Sequence, residues 1–242
     1  ENARFTYLTP EQAQVITGGR LPGFTPFDDS TESNREYNRR QGEMLFKVFV
    51  EETGPHRLIA EDLGEMSPYV RPTLEALEIP GFKIPMWEVD EDGAMLPGSS
   101  YQRLSLATFA THDHPTIRQY WEDWNAEATK TGKGAKAKKE MREILDFCGH
   151  PEIPVPCSYT PEVHAAFIHG LFASNSWLVV HQITDIFGSR ERFNVPGAVG
   201  DQNWTTRVDG EIKDWDKLYK NEIMISSLAL RETGRVPASG KS

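Results

Sequence analysis

Three apolar runs of the chain carry residues capable of acid–base chemistry. RLIAED (57–62) ends on Glu61 and Asp62, RLSLATFATHD (103–113) leads into His112, Asp113 and then His114, and SWLVVHQITDIFG (176–188) carries Asp185. Carboxylates delivered from different strand ends can act as an acid/base or nucleophile/acid pair, the arrangement used to cleave or transfer glycosidic bonds. Glu61 is the expected proton donor, because burial and neighbouring carboxylates would raise its pKa. Asp62 follows it directly, so in a strand it points to the other face and is expected to organise the turn. His112 and His114, one residue apart, permit a rival reading as ligands of a metal-dependent hydrolase. No HExxH-type spacing accompanies them, and neither a metal nor another cofactor is expected. His164 and His169 fall on an apolar helix and are expected as core or surface histidines.

The elements that would position these groups alternate. A helix is expected over 35–53, with Met44, Leu45, Val48 and Phe49 on one face, and then the strand 57–62. A second helix begins near Pro68, with Ser67 as its cap, and ends before IPG. Strands are expected at 82–89 and 103–113, helices over 116–128 and 136–147, and a buried helix capped by Thr160 with Pro161 behind it runs to Phe172. SWLVVHQITDIFG supplies the fourth strand and 216–231 the last helix. Strands apolar on both faces, alternating with helices, argue for an α/β protein with parallel strands. In such folds functional groups gather at the carboxyl ends of the strands. The loop FNVPGAVGDQNW (193–204) has the amides and aromatics that suit hydroxyls and sugar faces, although a surface loop around one buried tryptophan has the same composition.

Thirty-six acidic against 26 basic residues give a net charge of −10, which disfavours nucleic acid as a partner. The basic run KTGKGAKAKKEMRE (130–143) reads as a loop followed by the solvated face of a helix. No apolar run reaches the roughly 18 residues that span a bilayer, so no membrane partner is expected. Cys148 and Cys157 have neither zinc-type nor CxxC spacing, which suits a reduced cytoplasmic setting.

Four motifs carry a resemblance to a known family. IAEDLG (59–64), IPGFK (79–83), ATHDH (110–114) and RFNVPGAVGDQNW (192–204) occur in the order and setting seen in amylomaltases, the 4-α-glucanotransferases of glycoside hydrolase family 77. The likeness covers most of residues 35 to 210. It implies an elaborated (β/α)8 TIM barrel and a retaining double displacement on α-1,4-glucans and maltooligosaccharides. Glu61 then corresponds to the general acid/base, and Asp113 to the residue that stabilises the transition state through sugar hydroxyls. His112 corresponds to a ligand of the same sugar, and Asn194 and Gly197 to the acceptor side. Trp87 falls where an aromatic residue often sits.

Departures from the family pattern are specific. His114-Pro115-Thr116 replaces Asn-Asp-Thr, NWTTR (203–207) replaces NWRWR, and PGA replaces PGT. The family's nucleophile, an aspartate in an RIDH-type strand upstream, has no counterpart, since Asp28 and Asp29 lie in a Pro/Ser-rich loop. Four expected strands against the eight of a barrel give the same expectation. The chain is read as one partial catalytic domain over 1–242, the C-terminal half of a barrel, with long loops at 18–34 and 190–210. It would need the N-terminal half and be inactive alone. An α-glucan hydrolase using the same pair and a non-catalytic glucan-binding remnant are the alternatives.

Overall fold

The computed structural model describes residues 28–54, 56–64, 66–132 and 134–235, together with Val15. Residues 18–27 of the expected 18–34 loop therefore lie outside the described residues. The chain divides into two compact units after Gly81.

In the first unit α1 (Glu32–Thr53) starts where Thr31 accepts a hydrogen bond from the Asn34 amide, 3.1 Å away. Met44, Val48 and Phe49 do share a face of α1, but it is open, at 48–52% exposure. The helix is supported instead by charge pairs at helical spacing, with Arg39 between Glu36 and Glu43 and Lys47 on Glu43. α2 (Val70–Ala76) begins two residues later than expected, with Tyr69 rather than Ser67 at its cap position. The Ser67 hydroxyl bonds Asp29 instead.

RLIAED forms no extended strand. Ala60 alone pairs, in one parallel bridge to Gly81, and its amide donates to the Pro80 carbonyl at 2.9 Å. Two residues on, the Asp62 carboxylate packs so closely on Gly81 that a Cβ there would lie 2.7 Å from it. Only glycine leaves room for that carboxylate.

A three-stranded sheet runs in the order β1 (Gly81–Lys83), which begins at the last residue of the first unit, β2 (Ser105–Ala107), β3 (Leu178–Val179). β2 and β3 run parallel, with Leu106 opposite Leu178 and Ala107 opposite Val179. The parallel pairing and intervening helices give the α/β class expected, but every strand is shorter. FKIPMWEV stops after Lys83 because Pro85 has no amide to offer a ladder, and a 3-10 turn follows at Pro85–Trp87.

Between β2 and β3 lie α3 (Ile117–Ala128), α4 (Gly134–Phe147) and α5 (Pro161–Phe172). Thr116 caps α3 and Thr160 caps α5, each accepting a backbone N–H at 3.3 Å. The basic stretch of α4 is a solvated face, where Lys136 and Lys139 pair with Glu140 and Glu143; Lys133 lies outside the described residues. After β3 come α6 (Ile183–Ile186), α7 (Trp215–Leu218) and α8 (Lys220–Glu232), which packs on α5. The core centres on Phe109, Trp121 and Phe167, whose rings meet edge to face at 5.3 and 5.8 Å. The Trp121 indole N–H is satisfied by the Cys157 carbonyl at 2.8 Å. Cys148 and Cys157 are both free thiols.

Among the described residues no helix is long and apolar enough to cross a membrane.

Candidate functional site

β2 is fully buried and feeds Thr108–Ala110, also buried, into a tight turn at Thr111–His114. That turn closes through the His114 amide on the Thr111 carbonyl at 3.1 Å. Thr111 secures it again from its side chain, accepting the Asp113 amide at 3.3 Å. Both the Thr111 amide and its hydroxyl meet His114 Nδ1, at 3.1 and 2.9 Å. An amide can only donate, so Nδ1 is an acceptor and the ring proton of neutral His114 sits on Nε2. Trp87, 46% exposed, packs edge-on against this ring with centroids 4.8 Å apart.

Asp113 is thereby presented at the end of β2, and residues from beyond β3 converge on it. The Asn194 side-chain amide donates to Asp113 Oδ1, and Arg192 Nη2 donates to the Asp113 carbonyl at 2.9 Å. His112 Nε2 lies 3.4 Å from the same Oδ1, and its ring is 5.2 Å from that of Trp204. The carboxylate is thus fixed by two neighbours while remaining partly open to solvent, a group able to accept hydroxyl protons of a polar ligand.

The Asn194 loop is tied by one side chain. Asn203 Oδ1 accepts the Val195 amide at 3.0 Å, and its Nδ2 donates to the Ala198 carbonyl at 2.9 Å. Gly197 lies inside this clamp with φ of 75°, a backbone shape that disfavours a side chain. Trp204, which the composition would allow as a buried anchor, is 59% exposed.

Of the residues singled out by sequence, the second unit brings together His112, Asp113 and Asn194, sets Trp87 against the same turn through His114, and holds Gly197 in the Asn194 loop. Glu61 belongs to the first unit and is exposed, against the expectation of burial; Asp62, its neighbour, is buried and lies 3.2 Å from Arg71 Nε. The two acids differ in burial although no strand continues past the bridge at Ala60.

Asp185 is not a strand-end functional group. It lies in α6, buried, and its Oδ1 accepts the Ile117 amide at 2.9 Å, serving the first turn of α3. Desolvation pushes its carboxyl up to about 7. His164 is buried and bonded to the Tyr159 hydroxyl at 2.8 Å, while His169 lies on the side of α5 that meets α8, 4.0 Å from Glu232. His112 and His114 have different neighbours, and no three His, Cys, Asp or Glu among the described residues are grouped as metal ligands. Thr111, Arg192 and Trp204 were not singled out by sequence reasoning. Their partners lie in other segments, and only the NW dipeptide of NWTTR hinted at the clamp.

A family model described as 4-alpha-glucanotransferase matches residues 7–213. The chain is 28% identical over 186 residues to the 4-alpha-glucanotransferase of Chlamydia muridarum, covering 70% of this chain and 32% of that protein. It is 28% identical over 173 residues to that of Thermus thermophilus, covering 69% and 31%. Among solved structures it resembles the amylomaltase from Streptococcus agalactiae in complex with acarbose, with a TM-score of 0.56 at 19% identity over 80% of this chain and 35% of that one. The amylomaltase of Corynebacterium glutamicum gives a TM-score of 0.56 at 22% identity, over 70% and 28%. The structural likeness is one of fold. The chain spans about a third of the length of the curated relatives it matches.

Proposed function

From the premise that this chain belongs to the 4-alpha-glucanotransferase family, we propose that it carries the proton-transfer and sugar-holding residues of an enzyme that moves α-1,4-glucan segments between maltooligosaccharides. Glu61 protonates the glycosidic oxygen as the bond breaks and a carboxylate nucleophile takes the glycosyl group. In the second step Glu61 removes the proton from the incoming 4-hydroxyl, and the glycosyl–enzyme bond breaks. Asp113 and His112 bind hydroxyls of the reacting sugar, Trp87 supplies an aromatic face, and the loop through Asn194 and Gly197 borders the acceptor. The observation that carries this reading is the convergence of Asn194, Arg192 and His112 on Asp113. Such a braced carboxylate suits a group that must keep its position while charge develops on the sugar.

The attacking carboxylate is assigned to a part of the enzyme outside this chain, which serves as part of one (β/α)8 catalytic domain. The relative lengths support that assignment, since the matched proteins are about three times as long. The test uses maltotriose. The 242-residue chain alone should yield neither glucose nor longer maltodextrins, whereas the complete protein should yield both together. Turnover by the chain alone overturns the missing nucleophile, and shorter products alone in the complete protein favour hydrolysis. Glu61→Gln in the complete protein should abolish transfer, because an amide cannot protonate the leaving oxygen; activity within tenfold of the parent refutes that role.

A further inference from the structure

His114 stands where the family pattern has asparagine, and its side chain meets two parts of the site at once. We propose that His114 is a positioning residue of the transfer reaction. Through Thr111 it holds the turn that presents Asp113, and through its ring it sets the Trp87 face beside that turn. The proposal rests on the glucan reading above and adds to it a residue that acts through others.

The first contact is a relay of hydrogen bonds. Thr111 Oγ1 lies 2.9 Å from His114 Nδ1 and 3.3 Å from the Asp113 amide nitrogen. Nδ1 is an acceptor, because the Thr111 amide donates to it at 3.1 Å. The hydroxyl proton therefore goes to Nδ1, which leaves an oxygen lone pair for the Asp113 amide. His114 thus decides which way the hydroxyl points, and the hydroxyl fixes the backbone of Asp113. A ring with its proton on Nδ1 could not serve there.

The second contact is the ring itself. Trp87 closes the 3-10 turn Pro85–Trp87 and is 46% exposed. Among the described residues His114 is the one ring that packs on it, with centroids 4.8 Å apart and planes at 61°. Edge-to-face packing fixes the tilt of an indole that is otherwise open to solvent.

The two contacts use different features of one side chain, so they can be separated. Asparagine carries an acceptor, Oδ1, as many bonds from the backbone as Nδ1, but no ring. Phenylalanine carries a ring but no acceptor. Histidine has both, and so joins the turn that supports the transition state to the face that holds sugar throughout. Loosening the turn costs an interaction made in the transition state and lowers kcat, whereas loosening the face costs uniform binding and raises KM.

The test is initial-rate kinetics of glucose release from maltotriose by the complete protein, with His114→Asn and His114→Phe set against wild type. His114→Asn should raise KM about fivefold and change kcat by less than about twofold. His114→Phe should lower kcat about tenfold and change KM by less than about twofold. If His114→Phe does not fold, Thr111→Val takes its place, since it removes the hydroxyl of the relay and leaves the Trp87 contact, and the same loss of kcat is expected. Any pattern without this split, with both variants alike or neither moving a constant by about threefold, overturns the positioning role and leaves the glucan reading standing. A complete wild-type protein that releases no glucose from maltotriose overturns the glucan reading, and the positioning role with it.

Discussion

The amide nitrogen of Asn194 lies 2.5 Å from Oδ1 of Asp113, joining residues 81 positions apart. Removing this donor should loosen the carboxylate without unfolding the unit, since Asn194 lies in a loop. A hydrogen bond to a charged group contributes about 1.5–3 kcal/mol. Asn194→Ala in the complete protein should therefore lower kcat/KM on maltotriose on the order of ten- to a hundredfold. Asn194→Asp should do worse and shift the pH profile upward, because two facing carboxylates resist joint ionisation. Both are read from initial rates across pH.

Asn203 should matter through order rather than contact. Its side chain holds the Val195 amide and the Ala198 carbonyl, and it is the main tie inside the loop. In Asn203→Ala the Val195 amide should exchange with deuterium about fivefold faster, a loss of roughly one hydrogen bond's net contribution. Thermal stability should barely move.

Two buried groups give opposite pH dependences of stability. Asp185 rises from 3.8 to about 7 through desolvation, so its stability contribution is full below pH 4 and is lost as pH climbs to about 7. His181, between Phe109 and Phe172, falls from 6.5 to about 3, also through desolvation. Its contribution is full above pH 6.5 and is lost as pH drops towards 3. The two trends offset each other between about pH 4 and 6.5. Asp185→Asn keeps an acceptor for the Ile117 amide, so the variant should gain stability relative to wild type from pH 4 to 7 and then level off. Urea denaturation at successive pH values measures this; a difference that stays flat over that range refutes the assignment.

The helix caps are the simplest test of local structure. Thr160→Ala removes the acceptor of the Val163 amide at the head of α5 and should cost about 1 kcal/mol. For a chain of this size that lowers Tm by roughly 2–4 °C. A calorimetric scan suffices.

How much was legible beforehand follows from how local each signal is. Thr160 followed by Pro161 announces α5, because capping is decided within four residues, whereas Thr116, read as the first residue of a helix over 116–128, is its cap. Strands were overdrawn. Apolar runs such as FKIPMWEV say that a segment is buried, not how many of its amides find a neighbour, and the ladder ends at Lys83. Met44, Val48 and Phe49 have helical spacing, yet spacing alone does not say whether the face is covered. At the site, Asp113 and His112 were visible because family motifs mark them. Arg192 and Trp204 reach the turn from some 80 to 90 residues away, and nothing near either residue encodes that meeting. Asp185 misled because a buried acid near a strand looks the same in sequence whether it serves a substrate or a helix end.

One tie has a bearing on how the chain is made. Arg235 gathers four carbonyls from the segment that enters β3, those of Phe172, Ser174, Ser176 and Trp177. That segment is stitched to the approach of β2 through the Ser105 and Ser176 hydroxyls, 2.7 Å apart, and through the Asn175 amide on Tyr101. Arg235 is translated about 60 residues after the carbonyls it binds. The entry to β3 therefore leaves the ribosome with four acceptors still waiting for water or for a late partner. Helices α3, α4 and α5 can close their own turns as they emerge. These four ties at the entry to β3 can form only once synthesis has passed residue 235, after α3, α4 and α5 have emerged.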